Sequence, residues 1–365
     1  MDLITGGAGF IGSTLAKMLL DQNRNVATFD IKPGSPVLGT YREKWAHLQG
    51  NLGNMGEVLT VIQACQPRTI FHLGGMLSTP SEQNPQASFL TNVVGTYNVL
   101  EGARLFGIKQ VIYASTNGTF GLDLEGLTVI DDRTLQRPFT MYGCSKLFGE
   151  LLGRYYHRKY GIDFRSVRLP AVVGPGAKTK NVSIYNSWAI EKSFFGEPYE
   201  IFVTPETACP IIYYKDAARA FLEISGAPED RIKTMNYILA GIEPMPTAKQ
   251  LKETILRYLP LARLSFNPDP LAMAFHKMSQ GVRWDERPAA KEWNWKIRYR
   301  LDEMVEDFIR ELTDHPSGTR ETIPILMKAS TDRMIISTLT MTESRMNMFS
   351  KANSAVGKDF IGAQI

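Results

Sequence analysis

Tyr142-Gly-Cys-Ser-Lys146 sets a phenol and an ammonium four residues apart, one above the other on a helix face. That pairing suits the removal of an alcohol proton while a hydride leaves the same carbon, a step that needs a base working near neutrality. A free tyrosine titrates near ~10, so a downward shift of ~3 units, about 4 kcal/mol, must come from nearby positive charge. Lys146 is one source and a cationic cofactor ring would be another. A hydroxyl holding the reacting oxygen completes such a group. Thr116, at the end of the apolar run closing in Ala114-Ser115-Thr116, is the candidate, with Ser115 as the alternative.

A second Tyr-x-x-x-Lys, Tyr155-Tyr-His-Arg-Lys159, falls in the same expected helix. The two tyrosines are thirteen residues apart, or ~20 Å along a helix axis, so they cannot serve one site. Tyr142 lies at the helix start, on the side where strand ends collect ligands. Tyr155 and Lys159 run into Gly161 at the far end and read as a surface pair. Other reactive side chains have plainer readings. His72 follows an apolar strand and reads as a satisfied core residue. Cys144 has no histidine beside it in sequence and reads as a small helix-face residue. Trp293 and Trp295 read as packing. No His/Cys/Asp cluster has metal-ligand spacing, so no metal is expected.

The first residues supply a place for a cofactor. Thr5-Gly6-Gly7-Ala8-Gly9-Phe10-Ile11-Gly12 follows a strand and opens a helix. Its first glycines permit a tight turn, Gly9 lets backbone approach a pyrophosphate, and Gly12 lets the helix pack close to the sheet. The phosphates would sit at the positive end of the helix beginning near Ile11. Asp30 ends the next strand, where its carboxylate would accept from ribose hydroxyls and repel a 2′-phosphate, favouring NAD over NADP. Lys32 tempers that preference slightly.

These groups need a scaffold, and the pattern from residue 1 to about 170 provides one. Strands are expected at Asp2–Thr5, Asn25–Asp30, Thr69–Leu73, Gln110–Ser115 and Asp163–Leu169. Helices are expected at Ile11–Asp21, Met55–Cys65, Pro85–Phe106 and Thr140–Tyr160. The alternation implies an α/β fold: a Rossmann doubly wound parallel sheet with helices on both faces. Residues 1–174 form the expected dinucleotide-binding domain. Residues 175–315, with helices at Thr247–Tyr258 and Leu301–Leu312, form a smaller C-terminal substrate lobe that can return an element to the sheet. Residues 316–365, rich in methionine and hydroxyl side chains, form an extension without a readable role.

Bulk properties exclude several classes. Basic and acidic residues, 41 and 37, are scattered without a basic block, so nucleic acid is not an expected partner. No apolar run approaches the ~18 residues of a membrane span. Cys65, Cys144 and Cys209 lie far apart, as in a reduced protein. A strand at the very start leaves no room for a signal segment, and a cytoplasmic location is expected.

Taken together these residues resemble the extended short-chain dehydrogenase/reductase family, also called the NAD-dependent epimerase/dehydratase family, from Met1 to about Leu312. The resemblance implies hydride transfer on NAD, with Tyr142 as base, Lys146 on the nicotinamide ribose and Thr116 on the reacting oxygen. It places the cofactor against Gly6, Gly9, Phe10, Ile11, Gly12, Asp30, Asn51, Leu52, Leu73, Gly74, Gly75, Tyr142, Lys146 and Leu169. It places substrate against Ser78, Thr116, Tyr142 and Ser183, and implies a homodimer through a bundle containing the Tyr142 helix.

Two branches compete. Nucleotide-sugar epimerases and dehydratases carry an Asn and an Arg for the diphosphate where this chain has Ala171, in Arg168-Leu-Pro-Ala-Val-Val-Gly-Pro175, and Cys209, in Cys209-Pro-Ile-Ile-Tyr-Tyr-Lys-Asp216. Without a guanidinium fork a diphosphate loses charge-assisted bonds of a few kcal/mol. The short-chain threonine dehydrogenase branch is similar at His72-Leu-Gly-Gly-Met-Leu-Ser78, Tyr155-Tyr-His-Arg-Lys-Tyr-Gly161, Glu206-Thr-Ala-Cys-Pro-Ile-Ile-Tyr213 and Glu292-Trp-Asn-Trp295. The chain departs from it in the loop Pro175-Gly-Ala-Lys-Thr-Lys-Asn-Val-Ser-Ile-Tyr185, where Lys178 and Lys180 are added. A small hydroxy acid or hydroxy amino acid is the expected substrate, with a nucleotide sugar the alternative. A non-catalytic NAD sensor on the same fold is a third possibility, set against the presence of Tyr142, Lys146 and Thr116.

Overall fold

The computed structural model describes residues 1–121, 126–277 and 281–314, and two strands beyond them. The chain divides into two compact units, Met1–Pro316 and Ser317–Ile365. In the second, Ile325–Lys328 pairs antiparallel with Met334–Ser337. The rest of the 316–365 extension lies outside the described residues.

Seven strands make the central sheet of the first unit: β1 (Asp2–Thr5), β2 (Val26–Asp30), β3 (Trp45–Gln49), β4 (Thr69–His72), β5 (Gln110–Thr116), β6 (Asp163–Leu169) and β7 (Asn236–Ile238). All neighbours are parallel, in the order β7-β6-β5-β4-β1-β2-β3. This is the doubly wound Rossmann arrangement, and its strand order reverses between β1 and β4, where a crevice opens beyond the carboxyl ends. Every residue of β1 and β4 is buried, so their apolar centres, Leu3-Ile4 and Ile70-Phe71, do not alternate with exposed positions. One core packs Leu15, Leu19, Phe221 and Ile224 against one face of the sheet. The other packs Val58, Ile62, Val99, Leu100 and Tyr156 against the opposite face.

The Met141–Tyr160 helix matters most for position. Thr140 caps it by accepting from the Gly143 amide (3.0 Å), and Gly161 ends it at φ 71°. Its inner face is cut away by glycines. A Cβ at Gly149 would stand 2.3 Å from the Tyr113 hydroxyl, and one at Gly153 2.2 Å from the Phe164 ring. The helix axis can therefore come down onto β5 and β6.

Two elements differ from expectation. The single Pro85–Phe106 helix is three pieces: Pro85–Ser88, a wide π turn over Phe89–Val94, and Gly95–Leu105. Such turns aim a side chain that a regular helix would misplace, and here the buried Asn92 lies within it. The sheet also gains β3, while β7 is an element returned from the later part of the chain, as the sequence allowed. Among the described residues three short parallel pairs lie outside the central sheet: Ala171–Val173 with Ile211–Tyr213, Tyr199–Ile201 with Leu264–Phe266, and Val129–Ile130 with Arg283–Trp284. The Leu301–Asp314 helix is tied down by Asp307, which accepts from the Tyr213 hydroxyl (2.9 Å) and pairs with Lys215 (2.6 Å).

Gly153→Ala should lower stability by about 1–3 kcal/mol, since the new methyl must displace a buried ring. Urea unfolding measures it, and an unchanged midpoint would show that the helix can lift without cost.

Candidate active site

At the carboxyl end of β1, Gly6 takes a left-handed conformation (φ 71°) and donates to the Phe29 carbonyl (2.8 Å). A Cβ there would press on Gly74 backbone at 2.7 Å, and one at Gly12 would lie 2.2 Å from the Gly6 oxygen. At Gly9 a Cβ would meet only the Gly6 oxygen, at 3.0 Å, so this glycine faces open space. The Phe10–Asp21 helix that follows has no side-chain cap and no acidic residue in its first turn. Its amides and positive end are therefore left for an anion. Asp30 accepts from the amides of Ala8 and Lys32 (both 3.0 Å) and keeps lone pairs for hydroxyl donors. Phe10 stacks on Tyr214, centroids 5.0 Å apart, in room left by Gly174. This cradle fits a dinucleotide.

The remaining residues expected at the cofactor line the same ends. Leu73 follows β4, with its amide bonded to the Thr5 carbonyl (3.2 Å), and Gly74 packs on Leu52. Gly75 is exposed, and a Cβ on it would lie 2.9 Å from Asn92 Oδ1 and 3.5 Å from Lys146 Nζ. Asn51 is exposed, its side chain accepting from Gly53 N (2.9 Å). Leu169 ends β6 and is 7% exposed. Ile11 is half-buried in the first turn of its helix.

Tyr142 and Lys146 lie in the first two turns of the Met141–Tyr160 helix. Lys146 is almost wholly buried, and its Nζ donates to the Ala114 carbonyl (2.9 Å). The ammonium sits 5.8 Å from the Tyr142 ring centroid and 4.8 Å from that of Tyr113. Burial pulls the lysine down to about 8, with Glu150 one turn on opposing the fall. Burial pushes the Tyr142 phenol up to about 12. The expected downward shift drew on Lys146 and a cationic cofactor ring together; in the chain without that ring, burial sets the phenol high.

Strand alternation separates the two hydroxyl candidates. Ser115 is buried and donates to Glu150 (2.5 Å) on the helix-facing side. Thr116 is half-buried and accepts from the Gly118 amide (3.1 Å), which leaves its proton to donate elsewhere. Glu150 also takes two bonds from Arg168 (2.9 and 2.7 Å), a buried pair that joins the helix to β6.

Ser78 opens a short helix, Ser78–Gln83, that bridges two neighbouring elements. Thr79 Oγ1 donates to the Lys180 carbonyl (2.6 Å), and Glu82 accepts from the Met141 amide (2.7 Å). Ser183 accepts from the buried Cys209 thiol (3.3 Å), which burial pushes up to about 11. Lys178 and Lys180 are exposed. His72 is satisfied on both nitrogens by Thr5 (2.7 Å) and Thr96 (3.0 Å), and burial holds it neutral at about 3. Trp293 and Trp295 are buried in the core. Tyr155 and Lys159 bond each other (2.8 Å) in the open.

Asn92 escaped the sequence reading. It donates to the Met76 carbonyl (3.0 Å) and Ser145 Oγ (3.1 Å) and accepts from the Met76 amide (2.7 Å). It thus fixes the loop after β4 against the Tyr142 helix. An amide inside an apolar helical stretch was its only signal. Among the described residues no cluster could hold a metal ion, and no helix is long and apolar enough to cross a membrane.

Residues 3–239 match the NAD dependent epimerase/dehydratase family, and the chain belongs to that family. It is an NAD-dependent enzyme of the short-chain dehydrogenase/reductase type. Over 312 residues it is 29% identical to the mitochondrial L-threonine 3-dehydrogenase of Bos taurus, spanning 83% of this chain and 80% of that one. It is 30% identical to an uncharacterised epimerase/dehydratase of Staphylococcus haemolyticus, over 86% of this chain and 97% of that one. The holo form of an L-threonine dehydrogenase from Cupriavidus necator superposes with a TM-score of 0.76 at 31% identity, covering 85% and 99% of the two chains. A UDP-glucose 4-epimerase of Thermotoga maritima shares the fold at 21% identity and TM-score 0.74.

The lowered Lys146 gives a signed stability test. Its folded value of about 8 lies below the ordinary 10.5. Below pH 8 the lysine is charged in both states and the folded chain bears the whole burial cost. Between 8 and 10.5 the cost fades, and above 10.5 it is gone. Lys146→Met should therefore stabilise the protein at pH 7, by roughly 3 kcal/mol at most, and the gain should vanish by pH 10.5. Thermal melts across pH measure it; a gain independent of pH would contradict the burial argument.

Proposed function

We propose that this enzyme oxidises the secondary alcohol of a small hydroxy acid or hydroxy amino acid, with L-threonine the first substrate to test. The supporting observation is a buried Lys146 whose Nζ lies 5.8 Å from the Tyr142 ring centroid, reaches the Ala114 carbonyl of β5 two residues before Thr116, and stands 3.5 Å from where a Cβ on the exposed Gly75 would lie. NAD, when bound, supplies the hydride acceptor and, in its oxidised form, a positive ring. Thr116 Oγ1 donates to the substrate oxygen and fixes it. Tyr142 Oη takes the hydroxyl proton. Lys146 holds the phenolate and the nicotinamide ribose. The amides at the start of the Phe10–Asp21 helix would hold the pyrophosphate, with Asp30 on the adenosine ribose and Asn51, Leu52, Leu73, Gly74, Gly75 and Leu169 lining the remainder. Ser78 and Ser183 face the substrate's polar end.

The size of the substrate is argued from Cys209. A buried neutral thiol bonded to Ser183 stands where the epimerase branch carries its diphosphate arginine, and a thiol offers a diphosphate little. This favours the dehydrogenases among the relatives over sugar-nucleotide chemistry. The homodimer belongs to the same proposal. Leu90 and Tyr97 on one pair of segments, and Phe148, Leu151 and Tyr155 on the neighbouring Met141–Tyr160 helix, expose large apolar side chains, the kind of surface that marks an interface.

Tyr142→Phe should bind NAD as the parent does and lose turnover by at least about a hundredfold. Calorimetry and NADH absorbance with a panel of hydroxy acids, amino acids and UDP-sugars measure both. No net NADH from any alcohol acid, together with isomerised UDP-sugar, would overturn the dehydrogenase reading. Leu151→Lys should shift the chain to monomer on sedimentation; an unchanged mass would remove this helix from the interface.

A further inference from the structure

The chain itself meets the ammonium of Lys146 through few groups. It carries three protons for hydrogen bonding, and its one hydrogen bond among the described residues goes to the Ala114 carbonyl. Glu150, one turn along, cannot serve as its direct partner. Its oxygens are taken by Ser115, by Arg168 twice and by Gln136 (3.3 Å). Yet the lysine is almost fully buried, and a buried charge needs compensation.

The compensation comes from β5. Tyr113 is fully buried, and the ammonium stands 4.8 Å from its ring centroid, well inside the range of a cation–π contact. The Tyr113 hydroxyl has no hydrogen-bond partner. Thr96 is nearby, and its hydroxyl gives its one proton to the Asn92 carbonyl (2.5 Å), so toward the phenol it can only accept. Whatever that oxygen meets, it is the ring face that the ammonium approaches. The helix is also shaped around this ring: Gly149 is the only residue type that clears its hydroxyl end.

We propose that Tyr113 is a positioning residue whose ring face holds the Lys146 ammonium at the base of the site. The proposal rests on the reading of Lys146 as partner of Tyr142. The groups facing the ammonium are Tyr113 and the Ala114 carbonyl on β5, Tyr142 and Glu150 on its own helix, and neutral His72 on β4, with Arg168 of β6 behind Glu150. None of them supplies a second hydrogen bond to Nζ. Removing the ring should let the ammonium lose its proton at lower pH and wander from Tyr142.

The test reads the ammonium directly, in the full chain without cofactor or substrate. Lysine labelled at the ε-carbon is titrated by NMR, with the Lys146 signal assigned by its loss in Lys146→Met. Tyr113→Phe keeps the ring and should titrate as the parent. Mono-, di- and trifluorophenylalanine at position 113 keep the shape while draining the ring's negative face. The midpoint should fall with each fluorine, by about one unit across the series. Tyr113→Met should fall at least as far. A midpoint indifferent to fluorination overturns the proposal, and the fluorinated series decides even if the methionine variant fails to fold. Because no turnover is read, failure of the substrate assignment would leave this result standing.

Discussion

A lysine ammonium taken out of water must either be met by the protein or give up its proton. In this chain that demand falls on Lys146, and much of the architecture follows from it. The helix carrying the lysine has to lie close enough to β5 for Nζ to reach the Ala114 carbonyl and the Tyr113 ring. Glycines at 149 and 153 permit the approach. The Glu150–Arg168 pair pins the same helix to β6, and Glu82 and Thr140 fix its first turn. Tyr142, one turn before the lysine, inherits its position from these contacts.

The same burial that fixes the phenol works against its use as a base. With Tyr142 up at about 12 and Lys146 down at about 8, the protein alone keeps the phenol protonated at neutral pH. In the proposed mechanism the missing positive charge arrives with oxidised cofactor. On that proposal the base becomes active only when a hydride acceptor is in place, and the cofactor cradle and the acid–base group act electrostatically as one device, built from the ends of β1, β4 and β5.

Much of this was legible in the sequence because it is carried by local rules. The glycine turn, the strand-end Asp30 and the helical spacing of Tyr142 and Lys146 each declare their geometry within a few residues. Alternation along β5 also set Ser115 and Thr116 on opposite sides of the strand, with Ser115 turned to Glu150. What was not legible depends on partners far along the chain. β3 is half-exposed, and β7 has only three residues, so neither shows a period. The π turn has no proline or glycine to announce it, and the bonds of the Asn92 within it, to Met76 and Ser145, span distant segments. Sequence shows the charge beside Tyr142 and not the burial that opposes it, so the high phenol of the cofactor-free chain was not legible either.

The most direct test of this account is the ionisation of Tyr142 itself, followed by ultraviolet difference absorbance of the parent against Tyr142→Phe. The phenolate should appear near pH 12 in the cofactor-free protein and move several units toward neutrality with NAD, but not with NADH. A midpoint that stays in place when oxidised cofactor binds would contradict it.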